Sequence, residues 1–247
     1  MKVSRNEMIT ALSRAYEGAG HHIGDYDDAS QMITWSHMCG LGGFDDIELP
    51  PLGSKGDATP RLLFETSDLA VINAGGADVC EHGILAANLA FSKAQKSGFA
   101  IVQLEKCLYP KLILHCLSLI AQKGVYVAAY WMDNFGSHGV SFERGAIFPN
   151  YWVTEKEQCD SQSDYSTVTI ICTTSPAFLA DAIGHQAEHP ELRHVDYSAI
   201  QLSANYMEAL EKGISVEQNS WGALNMAAWP ILVPDSKQSR AGAGPGD

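Results

Sequence analysis

The sequence predicts an α+β fold: a mixed sheet with flanking helices, entered through an N-terminal helical hairpin and left through a glycine-rich C-terminal tail. Three observations carry this expectation. Helical apolar spacing fills both ends of the chain, β-branched and aromatic runs fill its middle, and the closing residues hold too much glycine for either element. With 46% hydrophobic and 9% aromatic residues over 247 positions there is enough apolar surface for a substantial core. No linker-like stretch divides the chain, so residues 1–247 read as one domain, with a hairpin over 1–40, a mixed core over 60–232 and the tail over 233–247.

Ser4-x-x-Glu7 has the spacing of a capping box and predicts a helix to about Glu17, with Met8, Leu12 and Ala15 on one face. A second helix is expected from Asp27 to Cys39, with acids in its first turn and Gly40 as its stop. Residues 40–60 carry five glycines and three prolines and read as irregular. Leu62-Leu63-Phe64, Ala70-Val71-Ile72, Phe99–Leu104, Val125–Trp131 and Thr167–Cys172 read as strands. Ile84–Lys96 and the all-round apolar Leu112–Gln122 read as helices, and Val140–Phe148 as part of a hairpin. Ser175-Pro176 opens a helix to about Glu188, and two Ser-x-x-Gln patterns start helices at Ser198 and Ser215.

Sixteen basic against twenty-nine acidic residues give a net charge of −13, which repels phosphate backbones and anionic lipid, so neither nucleic acid nor membrane is an expected partner. No apolar export segment follows the N-terminal charges and no run reaches membrane-spanning length, which predicts a cytoplasmic protein. Six scattered cysteines without a C-x-x-C pair read as free, mostly buried thiols.

The Val125–Trp131 strand leads into Asp133-Asn134-Phe135-Gly136-Ser137-His138-Gly139-Val140. Loops at strand ends commonly carry binding groups, and a histidine between glycines leaves room for a ligand, so His138 is the candidate general acid or base, with Asp133 to orient it. The alternative is a polar turn. In the tail, Ser239 and Arg240 with Gly242 and Gly244 suit a carboxylate or phosphate, because arginine offers a bidentate fork and the loose backbone offers N–H donors. The alternative there is a tail free in solvent. His185-Gln186-Ala187-Glu188-His189 spells the H-x-x-E-H pattern of an inverted zinc-protease site, but Pro190 ends any helix there, and the histidines read as solvated, so no metal ligand is assigned. Asn73-Ala74-Gly75-Gly76 could aim N–H groups at an anion, although Asp78 reads more simply as a helix cap. His21-His22 reads as a surface loop.

Ser4-Arg5-Asn6-Glu7 through Ala15–Gly20, Ala29–Trp35, Gly40-Leu41, Val233-Pro234 and the closing Ser239-Arg240-Ala241-Gly242-Ala243-Gly244 together resemble a bacterial family of uncharacterised proteins of similar length. That resemblance implies a bacterial metabolic protein and brings no activity with it. Ser137-His138-Gly139-Val140 also resembles the Ser-His-Gly-Val motif, bearing a catalytic histidine, of the malate/L-lactate dehydrogenase family of the sulfolactate dehydrogenase type. That family places its motif directly after an N-terminal helix pair, where this chain has Ser36-His37 without the glycine.

The expectation is therefore an enzyme acting on a small polar or anionic metabolite by acid/base chemistry at His138 and Asp133, with substrate held by Ser239 and Arg240. No cofactor is assigned from the residues. Alternatives are a noncatalytic accessory subunit, using the acidic surface and helix pair as a protein interface or self-association face, and a metal-dependent hydrolase or 2-hydroxyacid dehydrogenase-like protein.

Overall fold

Ser4 opens the first helix as its spacing to Glu7 requires. Its hydroxyl accepts from the Glu7 N–H at 3.2 Å, and the Glu7 carboxylate accepts from the Ser4 N–H at 2.7 Å, satisfying two donors that a helix start leaves orphaned. In the computed structural model, which describes residues 1–44, 59–155, 165–177 and 194–231, α1 (Arg5–Gly18) and α2 (Ile23–Met38) pack together as the expected hairpin. The second helix starts earlier than the acids suggest, with His22 at its N-cap. His21 is buried against the Tyr16 ring, with centroids 5.2 Å apart, so it is not the surface residue expected.

Eight strands form a mixed sheet in the order β2-β3-β4-β8-β5-β6-β7-β9. They are β2 (Arg61–Glu65), β3 (Leu69–Asn73), β4 (Phe99–Cys107), β5 (Tyr126–Asp133), β6 (Gly136–Phe142), β7 (Asn150–Glu155), β8 (Ser166–Thr173) and β9 (His194–Tyr197). Among the described strands of this sheet, β3 and β4 pair in parallel, joined through α3 (Val79–Ser97), and the other strand pairs are antiparallel. Asp78 caps α3 by accepting from the Cys80 N–H at 2.8 Å, as its position predicts. Ala100, Val102 and Leu104 alternate inward along β4, and Val168, Ile170 and Cys172 along β8, which is the period-two burial of a sheet covered on one face.

Helix α3 covers β4 and β8, and α4 (Ile113–Gln122) packs beside it, buried on almost every side as its composition predicts. Helices α1 and α2 form the next layer. Two C-terminal helices, α5 (Ala199–Lys212) and α6 (Gln218–Ala227), lie against α2 and α1. Ser198 caps α5 through the Gln201 N–H, as expected. The second Ser-x-x-Gln pattern does not act as a cap: Ser215 belongs to β10 (Ile214–Ser215), which pairs with β1 (Lys2–Val3), and α6 begins only after Glu217. One cluster of buried apolar side chains runs from Val3 to Leu224. Cys39, Cys80, Cys107, Cys116 and Cys172 are buried free thiols; Cys159 lies outside the described residues. No helix among the described residues is long and apolar enough to cross a membrane.

Candidate functional site

The strand pairings bring most of the candidate chemistry to one end of the sheet. Arg61 at the start of β2 pairs with Asn73 at the end of β3, Cys107 at the end of β4 with Ser166 at the start of β8, and Asp133 at the end of β5 with Gly136 at the start of β6. This end divides into an open half and a closed half.

The open half is a pocket of about 550 Å³ lined by Thr59, Arg61, Asn73, Gly75, Gly76, Lys106 and Tyr165. Its shape depends on an irregularity in β4. The register with β8 shifts between Leu104 and Cys107, and Lys106 has φ +54°. A bulge turns a side chain away from the regular pleat, and a lysine held in the left-handed region carries backbone strain of the kind that gathers at functional sites. The Lys106 carbonyl accepts from the Gly76 N–H at 2.9 Å, which locks the bulge to the turn after β3. The Gly75 N–H donates to the Asn73 side-chain oxygen at 2.7 Å. Both glycine amides are thus committed within the protein, in keeping with the simpler reading of this segment as a turn before a capped helix. The side-chain donors among the lining residues include the Arg61 guanidinium, the Lys106 ammonium and the Asn73 amide NH2, beside the Thr59 and Tyr165 hydroxyls. Neither Arg61 nor Lys106 is paired with a carboxylate among the described residues, in a chain with a net charge of −13.

In the closed half, Asp133 and His138 do meet, with Nε2 of His138 2.8 Å from the Asp133 Oδ1. The setting differs from the one the sequence suggests. His138 lies within β6, paired with Trp131 of β5 and Val153 of β7, and not in a loop. Its ring is only 4% exposed and stacks on the Trp131 ring at 5.0 Å and 6°. Nδ1 is 2.7 Å from the Tyr151 hydroxyl, so both ring nitrogens are occupied. Burial pushes the Asp133 carboxyl up, but the hydrogen bond and charge of His138, with the Phe135 and Gly136 N–H groups, outweigh it and hold the carboxyl below its usual range. Burial, reinforced by the Asp133 charge, drives the Tyr151 hydroxyl far upward and keeps it protonated. Gly139, expected to admit a ligand, instead makes room for a side chain: a Cβ there would fall inside the Trp152 indole.

Other candidates fall elsewhere. His37 lies in the last turn of α2, where Nε2 is 3.0 Å from the Ser215 carbonyl, while Nδ1 and the neighbouring Ser36 hydroxyl are buried without partners. No group of three or more metal-binding side chains occurs among the described residues. The His185–His189 motif and Ser239, Arg240, Gly242 and Gly244 lie outside the described residues. Sequence reasoning missed Arg61 and Lys106. Each stands alone in its segment, and only the β2–β3 pairing and the β4 bulge bring them to one cavity.

Residues 3–98 match the model of a family described as Protein of unknown function (DUF3726). The matched region ends at Gly98, the left-handed C-cap of α3, and includes the N-terminal segments of the sequence resemblance but not its C-terminal Ser239–Gly244. No curated protein matches the chain in sequence. In fold it is similar to malate dehydrogenase from Pyrococcus horikoshii OT3, at 11% identity over 92% of this chain and 94% of that one, with a TM-score of 0.64. A dehydrogenase from Sinorhizobium meliloti aligns at 10% identity over 92% and 99%, with a TM-score of 0.67. Sulfolactate dehydrogenase from Methanocaldococcus jannaschii aligns at 11% identity over 92% and 96%, with a TM-score of 0.62. At such identities the likeness is one of fold alone.

Proposed function

We propose that this protein is an enzyme that binds a small anionic metabolite between Arg61 and Lys106, at the end of the sheet where β3 and β4 terminate. The observation that carries the reading is the meeting of two cations without a carboxylate partner among the described residues, Lys106 placed by the β4 bulge and Arg61 by the β2–β3 pairing, on one open pocket of a strongly acidic protein. An arginine fork and a lysine point charge together suit a carboxylate or phosphate. The pocket lies within the volume range common for small-molecule sites.

The names of the similarly folded proteins make oxidation or reduction of a 2-hydroxy or 2-oxo acid the first reaction to test. Such a reaction needs a hydride acceptor or donor, and the chain has no G-x-G-x-x-G sequence to mark a dinucleotide site. Arg61 and Lys106 fit the phosphates of a nicotinamide dinucleotide as well as the carboxylate of a substrate, and a bound dinucleotide would supply the redox chemistry. By the spacing of the intervening strands, Asp133 on β5 lies about 10 Å and His138 on β6 about 14 Å from Lys106 on β4. They contribute acid/base chemistry only if one of the histidine's two internal hydrogen bonds is exchanged for substrate.

The test measures binding and turnover of L-malate, L-lactate and the matching 2-oxo acids with NAD or NADP, by calorimetry and by nicotinamide absorbance. Arg61→Ala and Lys106→Ala should each weaken anion binding about 10- to 100-fold, the loss expected for one charge-assisted contact. Unchanged binding in both variants would remove the pocket from the reaction. Turnover that survives His138→Gln would remove the histidine.

A further inference from the structure

We propose that Tyr165 sets the ligand class of the open pocket: a carboxylate carried on a flat aromatic ring, with the carboxylate at Arg61 and Lys106 and the ring against the tyrosine. This ligand class rests on the anion site proposed above. Tyr165 lines the cavity together with the two cations, and its surface is 50% open. The phenol end of its ring rests on Gly76: a Cβ built there would lie 3.1 Å from Cε1, 3.2 Å from the hydroxyl oxygen and 3.3 Å from Cζ. Gly76 has φ +91° and Gly75 φ +68°, so the turn after β3 sets two residues without side chains beside the ring. Glycine at such a place lets a ligand come close to the backbone. A ring next to bare backbone is a surface that suits a flat group. Its position is fixed from the sheet, because Tyr165 directly precedes β8, where Ser166 pairs with Cys107 and its hydroxyl donates to the Met132 carbonyl at 2.9 Å. Tyr165 and Lys106 therefore flank one strand pair.

Of the two anions that this pair of cations suits, the carboxylate fits the local chemistry better. Phosphates are commonly cradled by free backbone N–H groups at a glycine turn or a helix start. Here the Gly75 and Gly76 amides are spent on the Asn73 side chain and the Lys106 carbonyl. Side chains are left to hold the anion. The Arg61 guanidinium offers a planar fork that matches a carboxylate, and Asn73, whose oxygen already accepts from Gly75, keeps its NH2 group as a donor. No acidic side chain stands among the described lining residues to repel the ligand. A cavity of about 550 Å³ leaves room beside a carboxylate for a further group. That group gains most from Tyr165 if it is aromatic. Aromatic rings pair through a negative face and a positive edge and gain beyond the area they bury, whereas a saturated ring gains from area alone.

The test is calorimetry with acids that share one anionic group, L-lactate, L-phenyllactate and its saturated counterpart L-cyclohexyllactate, with melting curves to confirm that each variant folds. Phenyllactate should bind about 3- to 10-fold more tightly than either of the others. Tyr165→Leu should abolish that preference and leave L-lactate binding unchanged, whereas Tyr165→Phe should keep both. Gly76→Ala, which pushes the ring off its seat, should reduce the preference. Adenosine monophosphate, a phosphate on an aromatic base, should bind more weakly than phenyllactate. Equal binding of the acids, a preference for cyclohexyllactate, a preference that survives Tyr165→Leu, or tighter binding of adenosine monophosphate would each overturn this ligand class, while L-lactate binding that depends on Arg61 and Lys106 would leave the anion site standing. Loss of that dependence, or no binding of any acid, would remove the anion site itself and this ligand class with it.

Discussion

The two halves of the sheet end that carries Arg61, Lys106 and Asp133 use polar residues in opposite ways. Across β2, β3 and β4, Arg61 and Lys106 reach an open cavity and have no carboxylate partner among the described residues. Across β5, β6 and β7, Asp133, His138 and Tyr151 satisfy one another inside a stack of aromatic rings. A buried polar network whose members are all paired gives a rigid and specific core, whereas exposed unpaired cations add little to stability and remain free for a ligand. A histidine beside a carboxylate is therefore a weaker sign of a site than two isolated cations brought together by a bulge.

The contrast breaks most visibly at His138. Replacing it with Ala removes the partner of a half-buried carboxylate and of a buried hydroxyl and leaves a cavity against Trp131, so unfolding stability should fall by about 3–4 kcal/mol in denaturant titration. Anion binding in the open pocket should be kept. A loss below about 1 kcal/mol would mean that the network contributes little to the core. Gly139→Ala comes next, at about 2–3 kcal/mol, because the added methyl must displace the Trp152 indole. If its melting temperature matches the wild type, the tight approach of strand and ring is not maintained in solution.

A third prediction concerns two titrating groups outside the stack. Burial lifts the Asp78 carboxyl from 3.8 to about 6, against the opposing hydrogen bonds from Cys80. The folded state therefore holds an extra proton between those values, and stability falls as pH rises through them. Burial, helped by Arg5, lowers the His115 imidazole from 6.5 to about 4, so the unfolded chain holds the extra proton there and stability rises with pH across that window. Each effect is at most about 3 kcal/mol, and about 1–2 kcal/mol after allowing for partial exposure. The two slopes oppose each other. Asp78→Asn, which keeps a capping side chain, should leave stability climbing from pH 4 to 6.5, and His115→Gln should leave it falling from pH 4 to 6. Parallel profiles for the wild type and both variants, measured by denaturation across pH, would refute the assignment. The smallest effect belongs to the open half, where Arg61→Ala and Lys106→Ala should change stability by less than about 0.5 kcal/mol while weakening binding. A large loss of stability would make the two cations structural.

Much of the fold could be read from local pattern. The Ser4–Glu7 box, the apolar α4, the alternating β4 and β8 and the Asp78 cap all behave as their residues dictate, because each depends on neighbours a few positions away. Ser215 was misread because its pairing with Lys2 spans nearly the whole chain and overrides a local capping pattern. The Asp133–His138 pair was visible because a hairpin joins residues close in sequence. Its burial was not visible, because Trp131, Tyr151 and Trp152 close over it from neighbouring strands.

The amino-acid sequence by itself determined the helix pair, the helices α3 and α4, the strands β3, β4, β5 and β8, and the acidic character of the chain. The tertiary structure alone decided that Arg61 and Lys106 share a cavity while His138 does not open to one. Strand order and a single register shift set those distances, and neither leaves a local signal in the chain, because both follow from how distant segments share one core.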